Sequence, residues 1–125
     1  MNHIGVLGGG QLGRMLIQSA IDFNLEISVL DPDQNAPCRS IAHRFVQGDF
    51  KDYQTVLQFG RGCRLVTIEI ENVNTNALKQ LVSEGIVVYP QPEVIELIQD
   101  KRVQKQFYLE QQLPTAEFRL VNDRE

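Results

Sequence analysis

A glycine-rich segment near the start of the chain most constrains how this sequence can fold. Gly8-Gly9-Gly10-Gln11-Leu12-Gly13 fits the pattern G-x-G-x-x-G; it follows a short apolar run, residues 3–7, and precedes apolar residues at helical spacing. Glycines allow a tight turn and let a ligand approach amide N–H groups at a helix N-terminus, where anionic groups are favoured. The segment therefore predicts a strand, a glycine turn and a helix. Either a phosphate-bearing ligand binds at the turn, or the glycines only allow the backbone to turn from strand to helix.

The rest of the chain alternates between strand and helix patterns. Apolar runs rich in β-branched residues predict further strands at residues 26–30, 45–46, 63–68 and 86–89. Helical spacing predicts helices at residues 12–21, 52–59 and 75–84, and helical patterns fill residues 93–112. Such alternation is typical of an α/β domain whose mostly parallel, doubly wound sheet has helices on both faces. We therefore predict a Rossmann-like fold.

Composition and charge indicate which partners and which cellular compartment to expect. The 125 residues carry a net charge of −4, so no basic field attracts nucleic acid, and we expect no nucleic-acid partner. Glycines interrupt the only early apolar run, so it predicts neither a signal peptide nor a membrane span. Cys38 and Cys63 lack metal-ligand spacing, and we interpret both as free thiols in a reducing compartment. The sequence predicts a cytoplasmic protein without a membrane partner.

Two carboxylates, Glu69 and Glu71, follow the fourth predicted strand. Residues two apart on an extended chain point to the same side, so both are expected to leave the strand end together. In a doubly wound sheet the order 3-2-1-4 puts the first and fourth strands side by side, and ligands bind beyond their carboxyl ends. The glycine segment and Glu69 should therefore face one crevice. There a carboxylate can accept hydrogen bonds from an amine or a ribose hydroxyl; the alternative is a solvated, charged strand end.

Asp31 stands at the end of the second predicted strand, near the position where an acidic residue binds the adenosine ribose in NAD-dependent enzymes. On this pattern alone, NAD binding is the favoured interpretation of the glycine segment. The sequence Asp31-Pro32-Asp33 is equally typical of a turn that stops the strand. Both interpretations of Asp31 stay open at this stage.

A basic cluster, Lys101, Arg102 and Lys105, lies inside the last predicted helical segment. It can reach a phosphate group, or it can form a solvated helix face paired with the nearby acidic residues Glu96 and Asp100. On charge and spacing alone, the solvated helix face is the favoured interpretation.

Three ordered segments resemble motifs of the 5-(carboxyamino)imidazole ribonucleotide synthetases, an ATP-grasp family of purine biosynthesis. They are GGGQLGRM at residues 8–15, TIEIENV at residues 67–73 and QDKRVQK at residues 99–105, and LPTA at residues 113–116 continues the match. The glycine segment with Gln-Leu-Gly-Arg-Met attached is far more specific than a bare G-x-G-x-x-G. The related formate-dependent glycinamide ribonucleotide transformylases typically carry Glu-Leu-Gly-Lys at this place. The similarity spans nearly the whole chain.

The resemblance implies a pre-ATP-grasp domain at residues 1–113 that binds a ribonucleotide and no NAD. By that analogy Gly10, Gln11, Leu12 and Glu69 would contact aminoimidazole ribonucleotide. Glu71 is a weaker second candidate for the same substrate. Lys101 would contact ATP, at a position where the family usually has arginine. Lysine keeps the charge but loses the planar two-pronged donor.

The resemblance also implies the reaction. The family uses ATP and bicarbonate to make carboxyphosphate, whose carboxyl group passes to the amino group of aminoimidazole ribonucleotide. The Mg²⁺ ligands and most ATP contacts would lie in domains that this chain lacks, and residues 114–125 would be the start of a truncated ATP-grasp domain. We therefore expect an ATP-dependent ligase, a homodimer at full length, with this part inactive alone and without a catalytic residue or metal ligand of its own. The competing hypotheses are an NAD-binding domain of an oxidoreductase and a nucleotide-sensing regulatory module without chemistry.

Overall fold

A computed structural model of the protein describes residues 3–121. The bounds of the strands and helices are β1 His3–Leu7, α1 Gln11–Ile21, β2 Glu26–Asp31, β3 Arg44–Gln47, α2 Tyr53–Arg61, β4 Leu65–Ile68, α3 Thr75–Ser83, β5 Val87–Val88, α4 Pro92–Gln99 and α5 Lys101–Glu110. The strands and helices follow one another in the predicted order, with β3 directly after β2 and α5 directly after α4. None of the helices within residues 3–121 is long and apolar enough to cross a membrane.

The five strands form one parallel sheet in the order β3-β2-β1-β4-β5. In this sheet Leu7, the last residue of β1, pairs with Leu30 of β2 and with Ile68 of β4. The predicted order 3-2-1-4 is thus confirmed. The carboxyl ends of β1 and β4 lie side by side, as a site at the switch point of the sheet requires.

The sheet has a hydrophobic core on each face, because successive strand residues point to opposite sides. Val6 packs in the core that α1 covers, whereas its neighbour Leu7 packs in the core covered by α2, α3 and α4. Both side chains are at most 1% exposed, and burying such a side chain contributes about 1.5–3 kcal/mol. The α/β class and the helices on both faces of the sheet are confirmed.

The helical patterns predicted over residues 93–112 form two helices, which meet at Asp100. The backbone of Asp100 is extended, with φ −103° and ψ 112°, and its Oδ1 atom accepts a hydrogen bond from the Arg102 N–H at 2.8 Å. Aspartate competes in this way with helical hydrogen bonding and favours the cap position. The break makes Lys101 the first residue of α5.

Residues 114–121 form no strand in the part of the chain that the structure describes. The sequence after Pro114 resembles the first strand of an ATP-grasp domain, but a strand is stable only when its backbone groups pair with a neighbour. One side chain that fixes the segment is Lys105, whose Nζ atom donates to Thr115 Oγ1 at 2.6 Å. The boundary between residues 113 and 114 stays a prediction.

Candidate functional site

The glycine segment connects the end of β1 to the start of α1. Gly8 has φ +100°, a conformation that L side chains rarely adopt, and its N–H donates to the Leu30 carbonyl oxygen at 2.9 Å. Gly10 is the N-cap of α1, with φ −72° and ψ −165°, and no side chain caps the helix there. The backbone N–H groups in the first turn of α1 are therefore free of a side-chain cap.

The carboxylate of Glu69 lies directly against this glycine segment. Its backbone N–H donates to the Leu7 carbonyl oxygen at 2.8 Å, which continues the pairing of β1 and β4 by one residue. A Cβ atom added to Gly10 would be 2.6 Å from Glu69 Oε1, and one added to Gly8 would be 2.6 Å from Oε2. The structure thus brings Glu69 and the glycine segment together as the sequence predicts; whether they bind a ligand stays a prediction.

Glu69 combines exposure to solvent with unused hydrogen-bonding capacity. The residue is half-buried, and within residues 3–121 no hydrogen bond or ion pair engages its carboxylate. Next to it lies the N-terminus of α1, where the helix dipole favours an anionic group. An acceptor for hydroxyl or amine hydrogens therefore stands beside donors for a phosphate, and one ribonucleotide offers both kinds of group.

Asp31 uses its carboxylate inside the protein. Its Oδ2 atom accepts a hydrogen bond from the Gly9 N–H at 2.7 Å, and its Oδ1 atom accepts one from the Asp33 N–H at 2.8 Å. In dinucleotide-binding enzymes the corresponding carboxylate must face the ribose hydroxyls. Here both oxygens are engaged by backbone amides, so the turn interpretation of Asp31 describes the structure and the NAD interpretation is not favoured.

Cys38 is fully buried against the same segment. Its N–H donates to the Gly9 carbonyl oxygen at 3.0 Å, and its Sγ atom donates to the Gly10 carbonyl oxygen at 3.5 Å. Burial raises the pKa of this thiol, the nearby carboxylates of Glu69 and Asp31 raise it further, and Arg14 opposes the rise. Cys38 is therefore a neutral packing residue at neutral pH.

Cys63 is the other cysteine, and it is also free and buried. Burial raises the pKa of its thiol to about 11. The prediction that both cysteines are free thiols agrees with the structure, and neither has the low pKa of a nucleophile.

Glu71 does not behave as the two-residue alternation predicts. Strand β4 ends at Ile68 and residues 69–71 form a bend, so the extended geometry that would align the two carboxylates is absent. Glu71 is exposed, and its backbone carbonyl accepts a hydrogen bond from Gln99 Nε2 at 2.8 Å. The same Nε2 donates to the Val73 carbonyl oxygen at 2.9 Å. Gln99 thus fixes the segment that carries Glu69, a role that its helix-terminal position alone does not reveal.

The three basic residues of the last segment have different partners. Arg102 pairs with Asp100 at 3.4 Å, and Lys105 lies over the Tyr108 ring at 5.6 Å. Lys101 is exposed, and its Nζ atom contacts Gln104 Oε1 at 3.1 Å; no carboxylate of the described residues pairs with it. Of the cluster, Lys101 keeps the charge that is most available to a ligand.

Comparison with known proteins identifies relatives of this chain. A family model described as the ribonucleotide synthetase preATP-grasp domain matches residues 1–99. The N5-carboxyaminoimidazole ribonucleotide synthase of Staphylococcus epidermidis is 42% identical over 108 residues, which cover 86% of this chain and 28% of that protein.

Two solved structures share the fold. The N5-carboxyaminoimidazole ribonucleotide synthetase of Thermotoga maritima superposes with a TM-score of 0.86 at 35% identity, over 98% of this chain and 34% of that one. The N5-carboxyaminoimidazole synthase of Aspergillus clavatus, solved with ADP and 5-aminoimidazole ribonucleotide, gives a TM-score of 0.82 at 42% identity, over 93% of this chain and 31% of that one. The chain spans about a third or less of these relatives' length. It belongs to the ribonucleotide synthetase preATP-grasp domain family.

Proposed function

We propose that this chain is the ribonucleotide-binding part of a ligase that uses ATP and bicarbonate to carboxylate the amino group of 5-aminoimidazole ribonucleotide. The observation that carries the proposal is the free carboxylate of Glu69 against the glycine segment, at the start of an uncapped helix. The Aspergillus clavatus relative, whose structure contains ADP and 5-aminoimidazole ribonucleotide, supports the choice of substrate.

In the proposed complex, each part of the ribonucleotide meets a group of matching chemistry. The carboxylate of Glu69 accepts hydrogen bonds from the amino group or a ribose hydroxyl. The backbone at Gly10, Gln11 and Leu12 donates to the phosphate, where the dipole of α1 adds a favourable field. Glu71, exposed on the same bend, is the second candidate for a ribose hydroxyl. In this arrangement the chain orients the nucleophilic amine.

In the proposed reaction, ATP, bicarbonate and the ribonucleotide supply every group that reacts, and this chain supplies no catalytic residue. Bicarbonate attacks the γ-phosphate of ATP to give carboxyphosphate and ADP. The amino nitrogen of the ribonucleotide then attacks the carboxyl carbon, phosphate leaves and the amine loses a proton. The contribution of this domain is to hold the amine in place, and correct orientation alone can lower a barrier by several kcal/mol, about 7–11 kcal/mol at most.

Lys101 is the proposed ATP contact. It is exposed at the first position of α5, where its ammonium group and the helix N-terminus both favour a phosphate. Within residues 3–121, no group of three or more His, Cys, Asp or Glu side chains is arranged to hold a metal ion. We propose that Mg²⁺ is bound by other parts of the enzyme.

The wider setting is part of the same proposal. We propose that residues 114–125 begin an ATP-grasp domain and that the full-length protein is a cytoplasmic homodimer that binds neither nucleic acid nor membranes. The net charge of −4 supports the absence of a polyanionic partner. The engaged carboxylate of Asp31 supports the absence of NAD as a cofactor.

Calorimetric titration of the chain with 5-aminoimidazole ribonucleotide, with NAD as a parallel ligand, tests the proposal. We expect the wild type to bind the ribonucleotide and not NAD. Glu69→Gln should weaken ribonucleotide binding by about 10- to 100-fold, since a hydrogen bond to a charged group contributes about 1.5–3 kcal/mol. Glu71→Gln is the matched control, with the same charge change two residues away, and should weaken binding less.

Three results would contradict parts of this proposal. Binding of NAD alone would replace the ligase with a dinucleotide-binding domain. Ribonucleotide binding by Glu69→Gln at wild-type affinity would remove Glu69 from the site. Ribonucleotide binding by a full-length enzyme that never consumes ATP, with bicarbonate present, would favour a regulatory module.

A further inference from the structure

Asp31 binds two backbone amides with its carboxylate beside the proposed site. The residue is half-buried at the end of β2, and its two carboxylate oxygens accept backbone N–H groups of Gly9 at 2.7 Å and Asp33 at 2.8 Å. Hydrogen bonds to an ionised acceptor are shorter and about twice as strong as neutral ones. The contact to Gly9 joins two segments that are far apart in sequence, so it is more than a local turn.

Residues 31–38, which we name the clamp segment, hold Gly9 from both sides. The carboxylate of Asp31 accepts a hydrogen bond from the Gly9 N–H, and the Gly9 carbonyl oxygen accepts one from the Cys38 N–H at 3.0 Å. A Cβ atom added to Gly9 would lie 3.0 Å from Val29 Cγ1 and 3.2 Å from Asp31 Cβ, so the space around it is filled. On the other side of the turn, Arg14 of α1 donates to the Pro37 carbonyl oxygen at 3.1 Å.

The clamp segment changes what the glycine turn can bind. In dinucleotide-binding domains the glycine turn lets the backbone approach the pyrophosphate. Here the N–H of Gly9 is already engaged by a carboxylate, and a second carboxylate, Glu69, lies against the opposite part of the turn. What remains for a ligand is the first turn of α1 and the free oxygens of Glu69.

We propose that Asp31 is a positioning residue for ribonucleotide binding: by fixing Gly9 it aims the first-turn amides of α1 beside Glu69. This inference rests on the proposed function. Asp31 does not touch the ligand. It acts through Gly9, whose N–H it holds at 2.7 Å.

The test compares Asp31→Asn with Asp49→Asn. Asparagine has one acceptor oxygen and an NH₂ group that cannot accept, so Asp31→Asn must lose one of the two amide contacts. Asp49 is the matched control, because its Oδ1 atom accepts the Lys51 N–H at 2.8 Å in an exposed turn outside the clamp segment. Titration with 5-aminoimidazole ribonucleotide well below the melting temperature should show affinity at least about 10-fold weaker in Asp31→Asn and unchanged in Asp49→Asn.

A second measurement uses the wild type alone and does not depend on a variant that folds. In an NMR titration with the same ribonucleotide, the amide signals of Gly10, Gln11 and Leu12 should shift strongly. The Gly9 amide signal should shift little, because Asp31 holds that N–H in the free and bound protein alike. A purely structural role for Asp31 would lower the melting temperature of Asp31→Asn and leave its affinity for the ribonucleotide as in the wild type.

The outcomes separate this inference from the function on which it rests. If the wild type binds the ribonucleotide and Asp31→Asn binds equally well, the positioning role is overturned and the proposed function stands. If the Gly9 amide shifts as much as those of the first turn, Gly9 faces the ligand and the positioning role is again overturned. If the wild type binds no ribonucleotide, the proposed function fails first, and the role of Asp31 falls with it.

Discussion

Replacing Gly10 by alanine should weaken ribonucleotide binding strongly while leaving the fold intact. Gly10 has φ −72°, which alanine adopts without strain. The new Cβ atom would lie 2.6 Å from Glu69 Oε1, whereas non-bonded heavy atoms prefer separations of about 3.5 Å or more. The carboxylate must therefore move by roughly 1 Å, and it can do so because it is the free end of a flexible side chain.

The two consequences of this movement differ in size. A hydrogen bond between Glu69 and the ligand tolerates little displacement, and one to a charged group contributes about 1.5–3 kcal/mol. We therefore expect affinity for 5-aminoimidazole ribonucleotide to fall by about 10- to 100-fold. For folding, alanine is a poorer N-cap than glycine, and the loss in free energy of unfolding should stay within about 1 kcal/mol.

Calorimetric titration and urea denaturation of the same preparations measure both quantities. Gly62→Ala is the matched control, because Gly62 is also a helix cap at negative φ, at the C-terminus of α2. A Cβ atom added to Gly62 would meet the Phe59 carbonyl oxygen at an ordinary distance of 3.4 Å. It should leave affinity unchanged. Two results would refute the reasoning: a folded Gly10→Ala protein with wild-type affinity, or a loss of several kcal/mol in unfolding free energy, which would mean that Glu69 cannot move aside.

Two further predictions concern stability away from the site. Gly60 of α2 packs against the buried Leu81 side chain of α3, so Gly60→Ala overpacks the core and should lower the free energy of unfolding by about 1–3 kcal/mol; an unchanged urea midpoint would contradict this contact. Hydrogen bonds from Arg61, and then Gln80, lower the pKa of Glu84 from 4.5 to about 2. Because the folded-state pKa is the lower one, this stabilisation is present above about pH 4.5 and is lost as the pH falls towards 2. Thermal melts should show the difference in melting temperature between wild type and Glu84→Gln shrinking across that range, and a constant difference would count against the ion pair.

The sequence predicts the fold of this chain well because its constraints are local and directional. Short apolar runs alternate with helical spacing, and right-handed crossovers between parallel strands leave few possible topologies. The order 3-2-1-4 and the burial of Val6 and Leu7 on opposite faces both follow from these rules. The proximity of Glu69 to the glycine segment follows in turn, since neighbouring parallel strands end at the same edge of the sheet.

The details that the sequence does not predict depend on where individual strands and helices begin and end. Alternation along an extended chain predicts that Glu69 and Glu71 point the same way, but β4 ends at Ile68 and a bend follows. Likewise, helical spacing continues through Asp100, although the side chain of that residue competes for the backbone and starts a new helix. A strand or helix can therefore end because one side chain competes for a backbone hydrogen bond. Hydrophobic periodicity does not predict such competition.

Asp31 illustrates why a glycine motif alone does not identify a ligand. The spacing of the glycines and an acidic residue at the end of β2 are shared with dinucleotide-binding domains. The ligand depends on which amides and carboxylate oxygens remain free after folding, and here Asp31 engages the Gly9 N–H. In a dinucleotide site the acidic residue binds a ribose hydroxyl, whereas here Asp31 binds the Gly9 N–H beside the proposed ribonucleotide site. The two interpretations therefore differ in the partner of Asp31, so the Gly9 amide signal distinguishes them more directly than any further comparison of sequences.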